Sequence, residues 1–136
     1  MASAGWALQR AMYEHLVDAA PLVALIGAGG VFDDVPREAR PPYVTFGLTT
    51  LADWSTGEAE GVEHVVTLQV WSRENGRREA LEIMGVLRDL LHQTALDPDG
   101  HRLVDLRHEL SEARREPEGD TYRGVIRFRA VTEPLI

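Results

Sequence analysis

Near its end the chain alternates between small or apolar residues and arginines, with Val125 as the exception, and this two-residue period constrains the fold more than any other feature. The small or apolar positions are Gly124, Ile126, Phe128 and Ala130, and the arginines between and before them are Arg123, Arg127 and Arg129. Successive side chains of a β-strand point to opposite faces of a sheet. The pattern therefore predicts a strand over residues 121–132 with one buried face and one arginine-bearing face.

Three other segments show the same period and are predicted to be long strands: residues 43–49, 62–71 and 101–112. On the first of them Val44, Phe46 and Leu48 share one face. A shorter strand is predicted over residues 31–35, where Pro36 ends it, and the consecutive prolines Pro41 and Pro42 mark a connector.

The remaining regular segments carry a helical period. Helices are predicted over residues 3–18, 21–26 and 77–92, the last with the clearest apolar stripe and with Asn75 as a candidate cap. Helices at the start and middle of a chain that is otherwise rich in strands are typical of an α+β domain. The sequence therefore predicts a single domain over residues 1–136, with a four-stranded antiparallel sheet and helices packed on one face.

Composition excludes several classes of protein. The chain of 136 residues has no cysteine, and hence no disulfide framework, thiolate nucleophile or sulfur-ligated zinc. Its formal net charge is −8 and all its 14 lysine or arginine residues are arginine, so tight binding of a phosphate backbone is not expected. No leader-like or membrane-spanning apolar run is present, which predicts a protein that stays in the cytoplasm without membrane contact.

Candidate catalytic and metal motifs favour structural interpretations. The glycine-rich residues 27–30 follow a helix and precede a strand, the reverse of a phosphate-binding loop, and indicate a helix stop. The five histidines lack metal-ligand spacing, and the paired carboxylates at Asp33 and Asp34, or at Asp97 and Asp99, lie in turns. No serine lies in a nucleophile elbow. The sequence predicts no catalytic residue, no metal and no cofactor, and therefore no enzyme.

The segment 51–61 is predicted to be the tip of a long hairpin that carries a tryptophan and several acids. Trp54 follows Asp53, and the nearby acids are Glu58, Glu60 and Glu63. A tryptophan at such a tip either anchors an interface or folds back onto its own sheet. Asp53 and Trp54 are therefore candidate contact residues with a subunit or a neighbouring protein.

The arginine row of the last strand, Arg123, Arg127 and Arg129, also has two interpretations. The predicted neighbouring strand offers partners for a solvated, salt-bridged face, namely Asp105, Arg107, Glu109 and Ser111. Alternatively, the three arginines contact another subunit.

Several short motifs in a fixed order resemble those of one known family. They are Val31-Phe32-Asp33-Asp34-Val35-Pro36, Pro42-Tyr43-Val44, Asp53-Trp54-Ser55-Thr56, Glu63-His64, Val70-Trp71-Ser72, Gly76-Arg77-Arg78-Glu79-Ala80, His101-Arg102-Leu103-Val104 and Thr121-Tyr122-Arg123-Gly124-Val125-Ile126-Arg127-Phe128-Arg129-Ala130. Together they resemble the tail completion, or tail terminator, proteins of long flexible-tailed phages, and the version found in bacterial gene transfer agents is especially similar. The resemblance spans nearly the whole chain.

The resemblance implies a structural virion protein that forms a sixfold ring on the last ring of the tail tube. Such a ring stops polymerisation of the tube and presents its other face to the head connector or stopper protein. It implies assembly in the cytoplasm of the bacterial host, a place at the neck end of the tail, and DNA that passes through without specific binding. We expect Glu58, Glu60 and Glu63 to line the bore, where acidic groups repel DNA.

Two alternatives remain open from the sequence. The chain is either a different neck or tail-tube subunit, or, from another class, a small-molecule-binding α+β module. Filament formation by the purified protein favours a tube subunit, and a deep pocket with converging polar groups favours a binding module.

Overall fold

The structure, a computed structural model, describes residues 3–73, 76–117 and 119–135. In chain order its elements are α1 (Ala4–Val17), α2 (Ala20–Ile26), β1 (Val31–Phe32), β2 (Tyr43–Asp53), β3 (Val62–Ser72), α3 (Arg78–Leu91), β4 (His101–Arg115) and β5 (Tyr122–Pro134). All the long elements lie within a few residues of the predicted segments. The α+β class is confirmed.

The sheet has five strands and is mixed, so the prediction of a four-stranded antiparallel sheet is wrong. The strand order is β1-β2-β3-β5-β4, and β1 pairs parallel to β2 through Val31 with Val44 and Phe32 with Thr45. The other three pairs are antiparallel. A strand of two residues carries no periodicity, and its partner depends on how the connector before Tyr43 returns the chain, which the sequence pattern does not specify.

One hydrophobic core joins the sheet to all three helices. Its helical residues are Leu8, Met12 and Leu16 of α1, Leu22 of α2, and Ala80, Ile83, Met84, Leu87 and Leu91 of α3. Its strand residues are Val31, Val44, Phe46, Val66, Leu68, Val70, Leu106, Ile126, Phe128 and Ala130. Within β2, β3 and β5 these residues follow the two-residue period, so the helices cover one face of the sheet. Burial of each valine, leucine, isoleucine, methionine or phenylalanine side chain among them contributes about 1.5–3 kcal/mol.

Local signals define where the helices begin and end. The Ser3 side chain accepts a hydrogen bond from the backbone N–H of Trp6 at the start of α1. Gly27 ends α2 with a φ of 82°, a conformation that favours glycine, and this confirms the helix-stop interpretation of residues 27–30. The helix α3 begins at Arg78, and Asn75, its predicted cap, lies outside the described residues.

A β-bulge changes the predicted faces of β2. The register with β3 shifts between Phe46 and Thr49, so that Thr49, and not Leu48, continues the helix side of the strand opposite Val66. Leu48 is consequently 73% exposed, and its prediction as a partner of Val44 and Phe46 on one buried face is wrong. The strand also continues to Asp53, because the segment beyond the bulge pairs with the start of β3.

One ionisable side chain lies in the middle of the sheet on its covered side. His64 of β3 is fully buried, its Nε2 lies 2.9 Å from the Thr132 hydroxyl, and its Nδ1 has no hydrogen-bond partner in the described part of the chain. Burial, reinforced by repulsion from His101, lowers the pKa of His64 from 6.5 to about 4. The imidazole is therefore neutral near pH 7 and acts as a packed core residue.

We expect His64 to make the protein less stable as the pH falls from 6.5 to 4. In that window the unfolded chain binds a proton at His64 that the folded chain does not, so the free energy of unfolding falls with pH, by about 3 kcal/mol in total. Urea unfolding at pH 7.0, 5.5 and 4.5 measures the loss, and His64→Gln should reduce it. His108, whose pKa is also lowered, chiefly by burial, contributes with the same sign.

Thr132→Val is the matched control, because it removes the hydroxyl partner but keeps the imidazole. This variant should be less stable at every pH and retain the pH dependence. Equal pH dependence in the wild-type protein and in His64→Gln would contradict the assignment to His64.

Candidate interaction surfaces

The face of the sheet that the helices do not cover, called here the helix-free face, is dominated by arginines that pair within the chain. Arg129 of β5 is the most highly connected. Its Nε lies 2.6 Å from Glu63 of β3, its Nη1 lies 3.9 Å from Asp105 of β4, and its guanidinium lies over the ring of Trp54 at 4.9 Å from the centroid. Arg107 in turn hydrogen-bonds to Asp105 at 2.9 Å. Arg129 thus ties three strands together on this face.

The other two arginines of the row also have acidic partners. Arg127 lies 3.4 Å from Glu109 of β4. Arg123 lies 2.8 Å from Glu116, in a contact whose geometry is that of an ion pair, not of a hydrogen bond, and its guanidinium lies over the ring of Trp71. The predicted partners Asp105 and Glu109 are therefore in place, while Glu116 at the strand end was missed. Its signal was weak, because Glu116 directly follows β4 and lies beyond the periodic segment.

Ser111 does not join this face. A second bulge, between His108 and Leu110, shifts the register of β4, so that Ser111 lies opposite Ile126 on the helix side. Its hydroxyl lies 2.8 Å from Nε2 of His108. The prediction of Ser111 as a partner of the arginine row is wrong for this reason.

Trp54 lies at the base of the β2–β3 hairpin, where it is half exposed. Its ring packs over Arg129, and its exposed fraction is still 51%. The adjacent Asp53 accepts hydrogen bonds from the backbone N–H and the hydroxyl of Ser55, which fixes the turn out of β2. Trp54 therefore folds back onto its own sheet with one side and offers the other side to solvent.

The three acids that were predicted to line a bore fall into two environments. Glu58 and Glu60 lie at the exposed end of the hairpin, where Thr56 and Ala59 form an isolated bridge around the turn. Glu63 lies within β3 on the helix-free face, and Arg129 neutralises its charge. Of these three acids only Glu63 has an ion-pair partner among the described residues, so Glu58 and Glu60 keep their negative charge.

A second surface, an apolar groove, lies between α1 and β1. Its volume is about 390 Å³, and its lining is Trp6, Gln9, Arg10, Tyr13, Val31, Phe32, Asp33 and Phe46. Trp6 and Tyr13 of α1 are 52% and 38% exposed, while Leu8, Met12 and Leu16 of the same helix are buried in the core. The polar side chains Gln9 and Asp33 hydrogen-bond to each other at 2.8 Å. The groove thus presents apolar contact area and few polar groups that are available to orient a small ligand.

The described residues were also searched for metal clusters and membrane spans. Across residues 3–73, 76–117 and 119–135, no three histidine, aspartate or glutamate side chains come together as a potential metal site. Within the same ranges no helix has the length and apolar character needed to cross a membrane.

The contact between Glu63 and Arg129 should stabilise the fold measurably. The two side chains are only 26% and 22% exposed and form a charge-assisted hydrogen bond at 2.6 Å. We expect a double-mutant cycle with Glu63→Gln and Arg129→Gln, read by urea unfolding, to give a coupling energy of about 1–2 kcal/mol.

The pair of Arg10 and Glu14 on α1 is the matched control, since both side chains are 65% exposed and 3.6 Å apart. Its coupling energy should be about 0.3–0.5 kcal/mol, the usual range for such helical pairs. Equal coupling energies for the two pairs would contradict a special role for the contact on the sheet.

The chain was then compared with known proteins. Residues 10–133 match the family model described as tail completion protein gp17. A chain in the solved virion of a native gene transfer agent particle is 32% identical to this one, with a TM-score of 0.88, and the match covers 98% of this chain and 99% of that one. No curated protein matches the sequence.

A further solved structure has the same fold at much lower sequence similarity. It is 15% identical, with a TM-score of 0.59 over 99% of this chain and 98% of that chain. The family resemblance seen in the sequence is confirmed by the two full-length similarities above, to the family model and to the virion chain. The chain belongs to the tail completion protein family, whose members are structural proteins of phage-type virion tails.

Proposed function

We propose that this protein forms the ring that closes the head-proximal end of the tail tube. Each ring consists of six copies and rests on the last ring of tube subunits. It stops addition of further tube protein on one face and binds the head connector or stopper protein on the other. The observation that carries this proposal is the full-length similarity, with a TM-score of 0.88, to a chain of a gene transfer agent virion.

The surfaces of the subunit support an assembled state. A cyclic ring needs two different complementary patches on each subunit, because each copy contacts its two neighbours in different ways. The chain exposes large apolar side chains in separate regions, among them Trp6 on α1, Leu51 on β2 and Trp54 after it, each about half exposed. Tryptophan is enriched among the residues that anchor contacts between proteins. Trp54 and Asp53 are candidate contacts with the tube or a neighbouring subunit.

The layered fold also indicates which face of each subunit lies on the inside of the ring. The helices occupy one face of the sheet, and in a ring this thicker layer fits the larger outer circumference, so the helix-free face lines the bore. Arg123, Arg127 and Arg129 then face DNA, each paired with an acid of its own chain. Glu58 and Glu60 add unpaired negative charge at one end of the hairpin, and six subunits, each of net charge −8, repel the phosphate backbone.

We place the protein at the neck end of the tail, after assembly in the bacterial host. Its partners there are further copies of itself, the tail tube protein and the head connector or stopper protein. DNA passes through the ring without specific binding.

Particles made without this gene should have overlong tail tubes and full heads that carry no tail. Without the ring, tube subunits continue to add at the free end and the heads find no joining surface. Electron microscopy measures both the tube length and the fraction of joined particles. A copy of the wild-type gene supplied in trans should restore normal length and joining.

Normal-length tails that are joined to heads in the absence of the gene would contradict the proposal. Overlong filaments formed by the purified protein alone would favour the alternative, a tube subunit, since tube subunits stack and a terminating ring does not.

A further inference from the structure

Beyond Thr45, β2 has a paired neighbour on one side only. The strand β1 reaches Val44 and Thr45, and among the described residues the rest of β2 pairs with β3 alone. The backbone N–H of Trp54 donates to the carbonyl of Gly61 at 2.9 Å, so Trp54 and Gly61 form a hydrogen-bonded pair. In an antiparallel ladder, residues whose backbone groups point to the partner strand alternate with residues whose backbone groups point away from it. It follows that the backbone groups of Thr49, Leu51 and Asp53 point away from β3, to the open edge.

This edge lacks the usual protection against pairing with another chain. Native sheets protect an edge with charged side chains, proline, or a covering helix or loop. Residues 46–52 contain no charge and no proline, although 26% of the whole chain is charged. Leu48 is 73% exposed and Leu51 is 51% exposed. The segment is thus an uncharged strand edge whose outward backbone donors and acceptors have no partner among residues 3–73, 76–117 and 119–135.

The opposite edge of the sheet is β4, and it is open only in its second half. In the first half the connector after α3 runs alongside: the N–H of Gln93 donates to the carbonyl of Leu106 at 2.7 Å, and the N–H of His108 donates to Nδ1 of His92 at 3.0 Å. Beyond the bulge, the N–H of Glu116 donates to the carbonyl of Thr121, which sets the alternation there.

The second half of β4 therefore directs the backbone groups of Ser111, Ala113 and Arg115 outward. Among the described residues no backbone group bonds to them from that side. Each edge thus offers three alternate residues whose backbone groups face away from the sheet.

The two open edges are complementary, because their strands run in opposite directions and the side chains that would meet lie on the same side of the sheet. Three antiparallel steps separate β2 from β4, so the two strands run in opposite directions. Rotation about an axis from which the strands are tilted, without being perpendicular to it, preserves their direction, and β4 of one copy therefore meets β2 of the next copy antiparallel. Ala113 is level with Val44 of its own chain, through Gly124 and Val70, so its pairing with Leu51 of the next copy requires this tilt. Leu51 lies opposite His64 on the helix side, and Ala113 lies opposite Gly124 on the same side. Pairing of Leu51 with Ala113 therefore keeps the helices of both copies on one face.

We propose that β2 of one copy pairs antiparallel with the second half of β4 of the next copy, with Leu51 opposite Ala113, so that one sheet continues around the ring. In this register Thr49 lies opposite Arg115 and Asp53 lies opposite Ser111. The partner is a second copy of this chain, and the inference rests on the proposed ring. It specifies how the ring closes: by backbone hydrogen bonds between unlike edges.

Engineered cysteines test the register directly, because the chain has no cysteine of its own. Ala52 and Glu112 are predicted to be a directly opposed pair without hydrogen bonds, with Cα atoms about 4.5 Å apart, which suits a disulfide. Particles that carry Ala52→Cys and Glu112→Cys on the same chain are purified, oxidised and separated on a gel without reductant. We expect most copies to run as covalent multimers, up to the size of the complete ring.

Each single variant alone should remain monomeric, and an equal mixture of the two should give dimers as the largest product. The matched control combines Ala52→Cys with Arg102→Cys, a residue in the covered half of β4, and should also remain monomeric. Dimers of Ala52→Cys alone would overturn the proposal in favour of pairing between two β2 strands. Multimers from the control pair would overturn the register.

The outcome separates this inference from the proposed function. If the double variant is present in particles with normal, joined tails and yet stays monomeric, the edge pairing is wrong and the terminating ring stands. If deletion of the gene leaves tails normal and joined, the proposed function itself is wrong.

If the chain with both Ala52→Cys and Glu112→Cys does not enter particles, a proline variant tests the edge pairing instead. Thr49→Pro removes an outward N–H and no hydrogen bond to β3, whereas Thr49→Ala keeps that N–H. Thr49→Pro should retain its circular dichroism spectrum and thermal transition but lose ring assembly in native mass spectrometry or in particles, and Thr49→Ala should assemble. A folded Thr49→Pro that still assembles would overturn the proposal.

Discussion

The pairing of β3 with β5 is the interaction on which the rest of the molecule depends. It runs without a break from Val62 opposite Thr132 to Ser72 opposite Tyr122, although the two strands are far apart in sequence. Both strands have neighbours on each side, and their alternate residues form much of the core. A slip of one residue would turn one of these strands over, and in β5 it would place the arginine row under the helices. The cost of burying those charges fixes the register.

Periodicity in the sequence was sufficient to locate the long elements, because burial on one face enforces it. It was sufficient to place Arg123, Arg127 and Arg129 on one face with acids opposite them. It failed where the ladder is irregular. The bulge in β2 and the bulge between His108 and Leu110 in β4 move Leu48 and Ser111 away from their predicted faces, and the alternation pattern did not reveal either shift. The pairing of β1 with β2 depends on the path of the connector, which no local pattern encodes.

The candidate site residues show the same division between local and long-range information. The half-exposed position of Trp54 over Arg129 depends on a contact between residues that are remote in sequence. The ion pair of Glu116 with Arg123 forms across the turn after β4, where the strand pattern has ended. The open edge of β2 was missed because the segment 51–61 was assigned to the hairpin tip. The uncharged residues of the β2 edge were the available signal for this edge, since a hairpin tip that is exposed to solvent does not require uncharged residues.

Side chains that are paired within the chain and groups that remain available for contacts thus lie on different surfaces of the molecule. On the helix-free face Arg123, Arg127 and Arg129 are each paired with an acid of the same chain. The remaining capacity for contact lies elsewhere: in the backbone of the strand edges, in the apolar groove beside α1 and in the free side of Trp54. Association through these regions buries apolar area and pairs backbone groups without requiring any ion pair of the helix-free face to break.

The internally paired arginines have a consequence for the movement of a polyanion along that face. A phosphate can bind a guanidinium there only if it displaces the carboxylate that already holds it, and the exchange of one anion for another leaves the free energy almost unchanged. In the proposed ring, a strand of DNA that slides past would therefore meet a smooth potential with shallow wells, and its motion would encounter little friction. An unpaired arginine at the same position would be a trap that each passing phosphate had to leave.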